Sequence, residues 1–391
     1  MREITVATVQ MKPELGSTEN NLVKMSDFIS TITSQQKVDL IVFPELITSG
    51  YELGVQFTEL AQRVPGPAVN LMAQRAADTG VYIAFGLATK EKVESILYNS
   101  AVLIGPEGEL LGHYNKLHLR GEERMAFREG FKIPVFDAGE LGKVGLMLGW
   151  DLAYPEVARA QALEGAELIC CLANWESSAI DEWKTYVRAR AYENSLFVAG
   201  ANRVGEDVTM KFGGESMIVS PRGRILAALE TDAELRKEIQ REQDEMRREI
   251  AALKESKASL EAAAEARREA EKKAKEAEAA KKDGVILKEE GDKAEKSEKH
   301  TEAQKPEANA DGKGETGEKK ADTPKVLAMD KPHREHSESV RKGGTDKKAP
   351  EPAEGYCVAR IDLDEVRRYR EEYQTLQTRQ PTAYKVIVRR Y

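Results

Sequence analysis

From Met1 to about Leu229, strand-length apolar runs alternate with segments whose apolar residues recur at helical spacing, and beyond that point the alternation stops. EITVATVQM is a β-branched run, and ENNLVKMSDFISTI places Leu22, Met25, Phe28 and Ile29 on one helical face. DLIVFPE reads as a buried strand, AVNLMAQRAADTG as a helix closed by Gly80, and VYIAFGLAT as another strand. ILYNSAVLIGPEGELLGHYNK predicts a hairpin around the turn formed by Gly105, Pro106, Glu107 and Gly108. KVGLMLGWD and ELICCLAN then predict strands, PEVARAQALEGA a helix with Pro155 in its first turn, and DEWKTYVRARAYENS a further helix. LFVAGANRV, the pair SMIVSPRGRILAAL and, after a long gap, GYCVARIDLDEVRRYREEY complete the pattern. Mixed strands interleaved with helices imply an α/β layered sandwich with helices on both outer faces.

The gap has a different composition. From about Asp232 to Pro352 aromatic residues vanish and Lys, Glu and Ala take over. Leu235, Ile239, Met246, Leu253 and Leu260 follow heptad-like spacing, but the companion positions Glu242, Glu249 and Ser256 are polar, so the seam is only half apolar. Residues 232–282 therefore predict a charged helix or a weak coiled coil, and 283–352 a disordered, low-complexity stretch. The folded domain is then 1–231 plus 353–391. The insertion sits between RILAAL and YCVARIDL, where a short hairpin connection would otherwise serve, and should project from the body. It could recruit a protein partner, or be a tolerated surface expansion, since closure entropy grows slowly with loop length.

A net charge of -8 argues against a general nucleic-acid footprint, which needs a clustered basic excess. Three cysteines, Cys170, Cys171 and Cys357, make no disulfide framework and suit a reducing compartment. No apolar run reaches the roughly 20 residues that span a bilayer, and the N-terminus reads as a strand, so a cytoplasmic location and no membrane partner are expected. His113 and His118 flank Lys116 without a third ligand at suitable spacing, so neither a metal nor a cofactor is expected.

Taken singly, Glu45 after the strand IVFPE, Lys116 after GHYN and Glu123 in RGEERMAFREG are ordinary loop residues. Together, FPELITSGY, YNKLHL, EERMAFREG, GLMLGWDLAYPEVARA and ELICCLANW stand in the order and spacing of the nitrilase, or carbon-nitrogen hydrolase, family, which the chain resembles outside the insertion. The resemblance implies a four-layer α-β-β-α sandwich, with Glu45 as general base, Lys116 as oxyanion partner and Glu123 as a second carboxylate orienting substrate or lysine. A carboxylate can take a thiol's proton, and a fixed cation stabilises the charge that develops on the attacked group. Two carboxylates beside one ammonium would split their proton affinities. Tyr51, Trp150, Asp151 and Trp175 fall near the expected pocket as candidate ligand contacts, although aromatic residues at strand ends are more often packing.

The family's nucleophile is a cysteine directly before an aromatic-Asp pair, and this chain reads Leu148-Gly149-Trp150-Asp151. Gly149 offers no nucleophile. Three readings follow: a pseudoenzyme that keeps the pocket without turnover; a hydrolase that uses water activated by Glu45, or the Cys171 thiol if that side chain faces the pocket; and a scaffold acting through its insertion. A small amide, carbamoyl or nitrile compound is the expected ligand. The resemblance also implies a homodimer or larger homo-oligomer, with EEYQTLQTRQPTAYKVIVRRY as a segment expected to cross to the partner.

Overall fold

A computed structural model of the chain describes residues 1–91, 96–229, 241, 248, 252, 255–270, 272 and 352–388. It divides into two units, Met1–Glu245 with Ala349–Tyr391, and Met246–Lys348. In the first, the elements run β1 (Glu3–Gln10), α1 (Thr18–Gln35), β2 (Leu40–Val42), α2 (Phe57–Leu60), α3 (Pro67–Thr79), β3 (Tyr82–Lys90), β4 (Leu97–Ile104), β5 (Leu110–Asn115), α4 (Glu123–Ala126), β6 (Val135–Asp137), β7 (Lys143–Leu148) and α5 (Pro155–Leu163). They continue with β8 (Leu168–Ala173), α6 (Ile180–Asn194), β9 (Phe197–Asn202), β10 (Val204–Glu206), β11 (Lys211–Gly213), β12 (Met217–Val219) and β13 (Ile225–Ala228). In the second unit, residues 255–270 form a helix, α7, whose side chains are all exposed; Leu260 is 68% exposed. The stretch read as disordered lies outside the described residues but for Pro352. Back in the first unit come β14 (Gly355–Asp362) and α8 (Asp364–Tyr373).

Two six-stranded sheets carry the first unit, in the orders β14-β1-β2-β3-β4-β5 and β13-β12-β9-β8-β7-β6. Strict alternation along the strands builds the layers. In β8, Leu168, Cys170 and Leu172 join Val6, Leu40, Ala84 and Leu103 in the core between the sheets. Ile169, Cys171 and Ala173 face the other way, into a core shared with Val157 and Ala158 of α5 and Trp183 and Val187 of α6. The opposite outer layer sets Met25, Ile29 and Ile32 of α1 and Met72 and Ala76 of α3 against Ile41, Phe43, Ile83 and Phe85. This is the four-layer α-β-β-α sandwich. The β4–β5 and β12–β13 hairpins form as the turn residues predict, with Gly108 and Gly223 both at positive φ. Gly80, at φ 67, caps α3 in the left-handed conformation.

One expectation needs correction. β13 and β14 do not form a hairpin: β13 lies at the edge of one sheet, while β14 pairs antiparallel with β1 from Glu3↔Asp362 to Gln10↔Gly355 in the other. The physical reason is the edge of β1, whose backbone groups β14 satisfies. Val366 of α8 is buried in the inter-sheet core, and Leu376, in the segment expected to cross to a partner, lies against the α5–α6 core of its own chain. Among the described residues no helix is long and apolar enough to cross a membrane.

Although β13 and β14 belong to different sheets, an ideal Cβ at Gly355 would lie 3.5 Å from Leu229 Cδ2, so the chain leaves and re-enters this unit at one place. Replacing residues 232–352 with a short Gly/Ser linker should therefore leave the sandwich folded, with stability unchanged or raised by up to about 2 kcal/mol from the shorter loop. Urea denaturation followed by tryptophan fluorescence checks this. A loss of cooperative unfolding would show that the insertion is part of the sandwich.

Candidate active site

The polar side chains collect where β2, β7 and β8, parallel members of the two sheets, end. Glu45 follows β2 by three residues, Gly149 follows β7 directly, and Asn174 follows β8 directly. Carboxyl ends of parallel strands are the usual place for a ligand crevice in α/β sheets. Leu46 turns the chain sharply at φ 45, and the turn lies so close on β3 that a Cβ on Gly86 would come within 2.6 Å of Glu45 Cα. Glycine at 86 is what lets the Glu45 backbone approach, held by Gly86 N–H to Pro44 O at 3.1 Å and Ile47 N–H to Gly86 O at 3.0 Å.

Lys116, Glu45 and Glu123 converge as expected. The Lys116 ammonium donates to Glu45 Oε1 at 2.7 Å and to Glu123 Oε1 and Oε2 at 2.6 and 2.9 Å, and all three residues are at most 4% exposed. The carboxylates have further donors: Asn99 Nδ2 at 2.7 Å and Asn174 N–H at 3.0 Å for Glu45, and Arg120 N–H at 3.0 Å for Glu123. Burial pushes the Glu45 carboxyl above its usual range; Lys116 draws it down and Glu123 pushes it back up. Burial works against the Lys116 ammonium, but Glu123 and Glu45 more than offset this and hold it above the usual lysine range. The cation is therefore held in place and kept charged by the two carboxylates.

Gly149 opens a short 3₁₀ turn, Gly149–Ala153, at φ +39, and Pro155 starts α5. An ideal Cβ on Gly149 would lie 2.5 Å from Glu45 Oε2 and 3.2 Å from Lys116 Nζ. Any side chain at 149 thus points between carboxylate and ammonium. Glu45, Lys116, Gly149, Tyr51, Trp150 and Trp175 line a cavity of about 30 Å³ there. It shares Tyr51, Arg120, Glu176 and Met210 with an outer chamber of about 210 Å³. The Trp150 ring carries the Arg120 guanidinium 4.4 Å above its face and lies 5.6 Å from Trp175.

Two sequence candidates line neither chamber. Asp151 is fully buried, and its oxygens accept from Tyr114 Oη at 2.6 Å, His118 N–H at 3.0 Å and Leu148 N–H at 3.2 Å, with His118 Nδ1 at 2.9 Å. Through these bonds it ties the turn after β7 to β5. Cys171 packs on the helix side of its sheet, and burial holds its thiol well above the usual range, with Glu45 adding to the effect. It is buried away from the cavity and protonated. Conversely, Asn99, Asn174 and Arg120 belong to the site but were not singled out from sequence. A polar residue inside the apolar runs LYNSAVLI and LICCLANW was the signal available for the two asparagines.

Lys116→Met would leave two carboxylates buried without their cation and should cost about 3–5 kcal/mol at pH 7. Because burial and Glu123 raise the proton affinity of Glu45, protonation relieves that cost, so the penalty should shrink as pH falls toward the ordinary carboxylate range. Urea denaturation of both proteins at pH 7 and pH 5 checks the sign. A penalty that grows in acid would overturn this account.

The carbon-nitrogen hydrolase family model matches residues 5–246. A probable nitrilase of Schizosaccharomyces pombe is 42% identical over 232 residues, covering 59% of this chain and 85% of that protein. A nitrilase of Pyrococcus abyssi is 39% identical over 237 residues, covering 59% and 87%. A solved amidase from Nesterenkonia sp. matches with a TM-score of 0.54 at 27% identity, over 59% of this chain and 87% of that one. Mutants of that amidase have been seen in complex with butyramide and with the acetamide moiety of fluoroacetamide added covalently at the active-site cysteine. By its sandwich and by a sequence match over most of its length, this chain belongs to the carbon-nitrogen hydrolase family.

Proposed function

We propose that this protein is a carbon-nitrogen hydrolase scaffold that binds a small amide, carbamoyl or nitrile compound at Glu45, Lys116 and Glu123 without the covalent turnover of its family. The observation that carries the reading is the Cβ direction at Gly149, 2.5 Å from Glu45 Oε2 and 3.2 Å from Lys116 Nζ. A thiol there would meet its base and its oxyanion cation at once, and glycine supplies neither the attacking atom nor a proton to transfer. Covalent catalysis divides one hard step into two, so its loss removes most of the rate. The proposal takes the protein to be a homo-oligomer, as the family resemblance implies, in the cytoplasm, as its cysteine content suggests.

One observation favours a second reading. Glu45, with raised proton affinity, lines a cavity of about 30 Å³, which has room for a water molecule. Such a water could be deprotonated by Glu45 and attack a carbonyl polarised by Lys116, a slower non-covalent hydrolysis. The thiol variant of this reading finds no support, since Cys171 faces α5 and α6.

Ammonia release from a panel of amides, nitriles and carbamoyl compounds separates these readings. The native chain should be silent, Gly149→Cys should gain activity, and adding Glu45→Gln should abolish it. Gly149→Cys should also lose about 1–2 kcal/mol of stability, because residue 149 is left-handed. Its Cβ must also displace the Glu45 carboxylate slightly. Native turnover that Glu45→Gln removes would establish the water route instead. A folded but silent Gly149→Cys would show that the pocket is not an intact family site.

A further inference from the structure

Two segments that wall the pocket are fastened to each other by carboxylates that reach across in opposite directions. Asp207, in the turn between β10 and β11, accepts at Oδ2 from the Tyr51 N–H at 2.8 Å and the Glu52 N–H at 3.2 Å. Glu52 reaches back: its Oε2 accepts from the Thr209 N–H at 2.7 Å and the Met210 N–H at 2.9 Å, and its Oε1 from the Thr209 hydroxyl. Tyr51 and Met210, each held by one of these carboxylates, are two of the four residues common to the inner cavity and the outer chamber. The fastened segments therefore contribute to the neck between the two spaces.

Asp207 does not act alone. Its oxygens take a bidentate pair of hydrogen bonds from Arg203, at 2.9 Å from Nη1 and 2.7 Å from Nη2, and both side chains are fully buried. The Arg203 guanidinium lies 4.1 Å over the Phe212 ring, and Phe212 meets the Tyr51 ring edge-on at 5.9 Å. The ion pair thus holds Tyr51 twice, by its backbone through Asp207 and by its ring through Phe212. A buried ion pair seldom adds stability over apolar residues of the same volume. What a bidentate pair supplies is a fixed geometry, and here that geometry is imposed on a residue of the neck.

We infer that Arg203 and Asp207 are positioning residues for ligand binding, which hold the Tyr51 ring where the inner cavity opens into the outer chamber. The inference rests on the ligand-binding reading proposed above and adds the device that shapes its pocket. Neither residue lines either space, so each acts through Tyr51 and not by touching a ligand. Burial and the neighbouring Glu123 hold the Tyr51 phenol above the usual tyrosine range, so it stays protonated. A neutral ring on a fixed backbone leaves little to order when a ligand arrives.

Fluorine NMR on the full chain labelled with 3-fluorotyrosine, with the Tyr51 resonance assigned by Tyr51→Phe, tests this together with butyramide affinity from saturation-transfer NMR. Asp207→Asn removes the charge and leaves Arg203 unpaired. Arg203→Met combined with Asp207→Leu removes both charges at once, so that no ion is left buried alone if the first variant fails to fold; circular dichroism verifies both folds. In each, the Tyr51 resonance should move and broaden, and butyramide should bind about tenfold or more weakly, the equivalent of one charge-assisted hydrogen bond. A merely structural pair would lower stability and leave both readouts at their native values. Folded variants with the native Tyr51 resonance or the native butyramide affinity overturn the assignment while the pocket reading stands, and so does a failure of both variants to fold. A native chain that binds no butyramide overturns the pocket reading and with it the ligand role of the pair, an outcome visible before any variant is made.

Discussion

Two sheets that each present an apolar inner face must cover one another, and this requirement organises the molecule. Val6, Leu40, Ala84 and Leu103 on one side meet Leu146, Leu148, Cys170 and Leu172 on the other, all buried. At roughly 25 cal/mol for each Å² of apolar surface removed from water, such an interface outweighs the local preferences of short strands. Polar groups are expelled from it and survive only at one end, where β2, β7 and β8 stop. Glu45, Lys116 and Glu123 gather there, where Asn99 Nδ2 and the Asn174 backbone N–H satisfy the Glu45 carboxylate and the carboxylates hold the ammonium.

Within that cluster the Lys116 ammonium decides the electrostatics. Two carboxylates at most 4% exposed would otherwise repel; with the cation between them the site holds a fixed charge in a buried position. That is a preorganised arrangement for polarising a carbonyl, and it is built independently of residue 149, from elements around β2 and β5. Glycine at 149 adds no side chain to this cluster. Asn202, Gly86 and Asp151 serve the same preorganisation indirectly, by fixing the backbone of Trp175, admitting the Glu45 turn and anchoring the turn after β7.

The layered fold, the two hairpins and the Gly80 cap were legible because each rests on local chemistry: period-two apolar runs, turn glycines and a capping residue. Glu45, Lys116 and Glu123 were legible only as a set, through motif order, since each alone reads as a loop residue. The contacts of Asp151 were not legible, because an acidic residue beside an expected pocket has the same sequence signature whatever groups of its own chain it meets. The β13–β14 relation misled because sequence neighbours usually pair, whereas here β14 closes the open edge of β1 in the other sheet.

By itself the sequence determined which segments are strands and helices, that residues 232–352 lack the apolar pattern of a core, and that residue 149 carries no nucleophile, because these follow from side-chain period, composition and chemical identity. Only the tertiary structure decided which face of β8 holds Cys171, that the Asn174 amide is buried without a partner in the protein, and that the Gly149 Cβ direction falls between Glu45 and Lys116. Those are statements about direction and distance between residues far apart in the chain. They are fixed by how the two sheets pack, which no local pattern encodes.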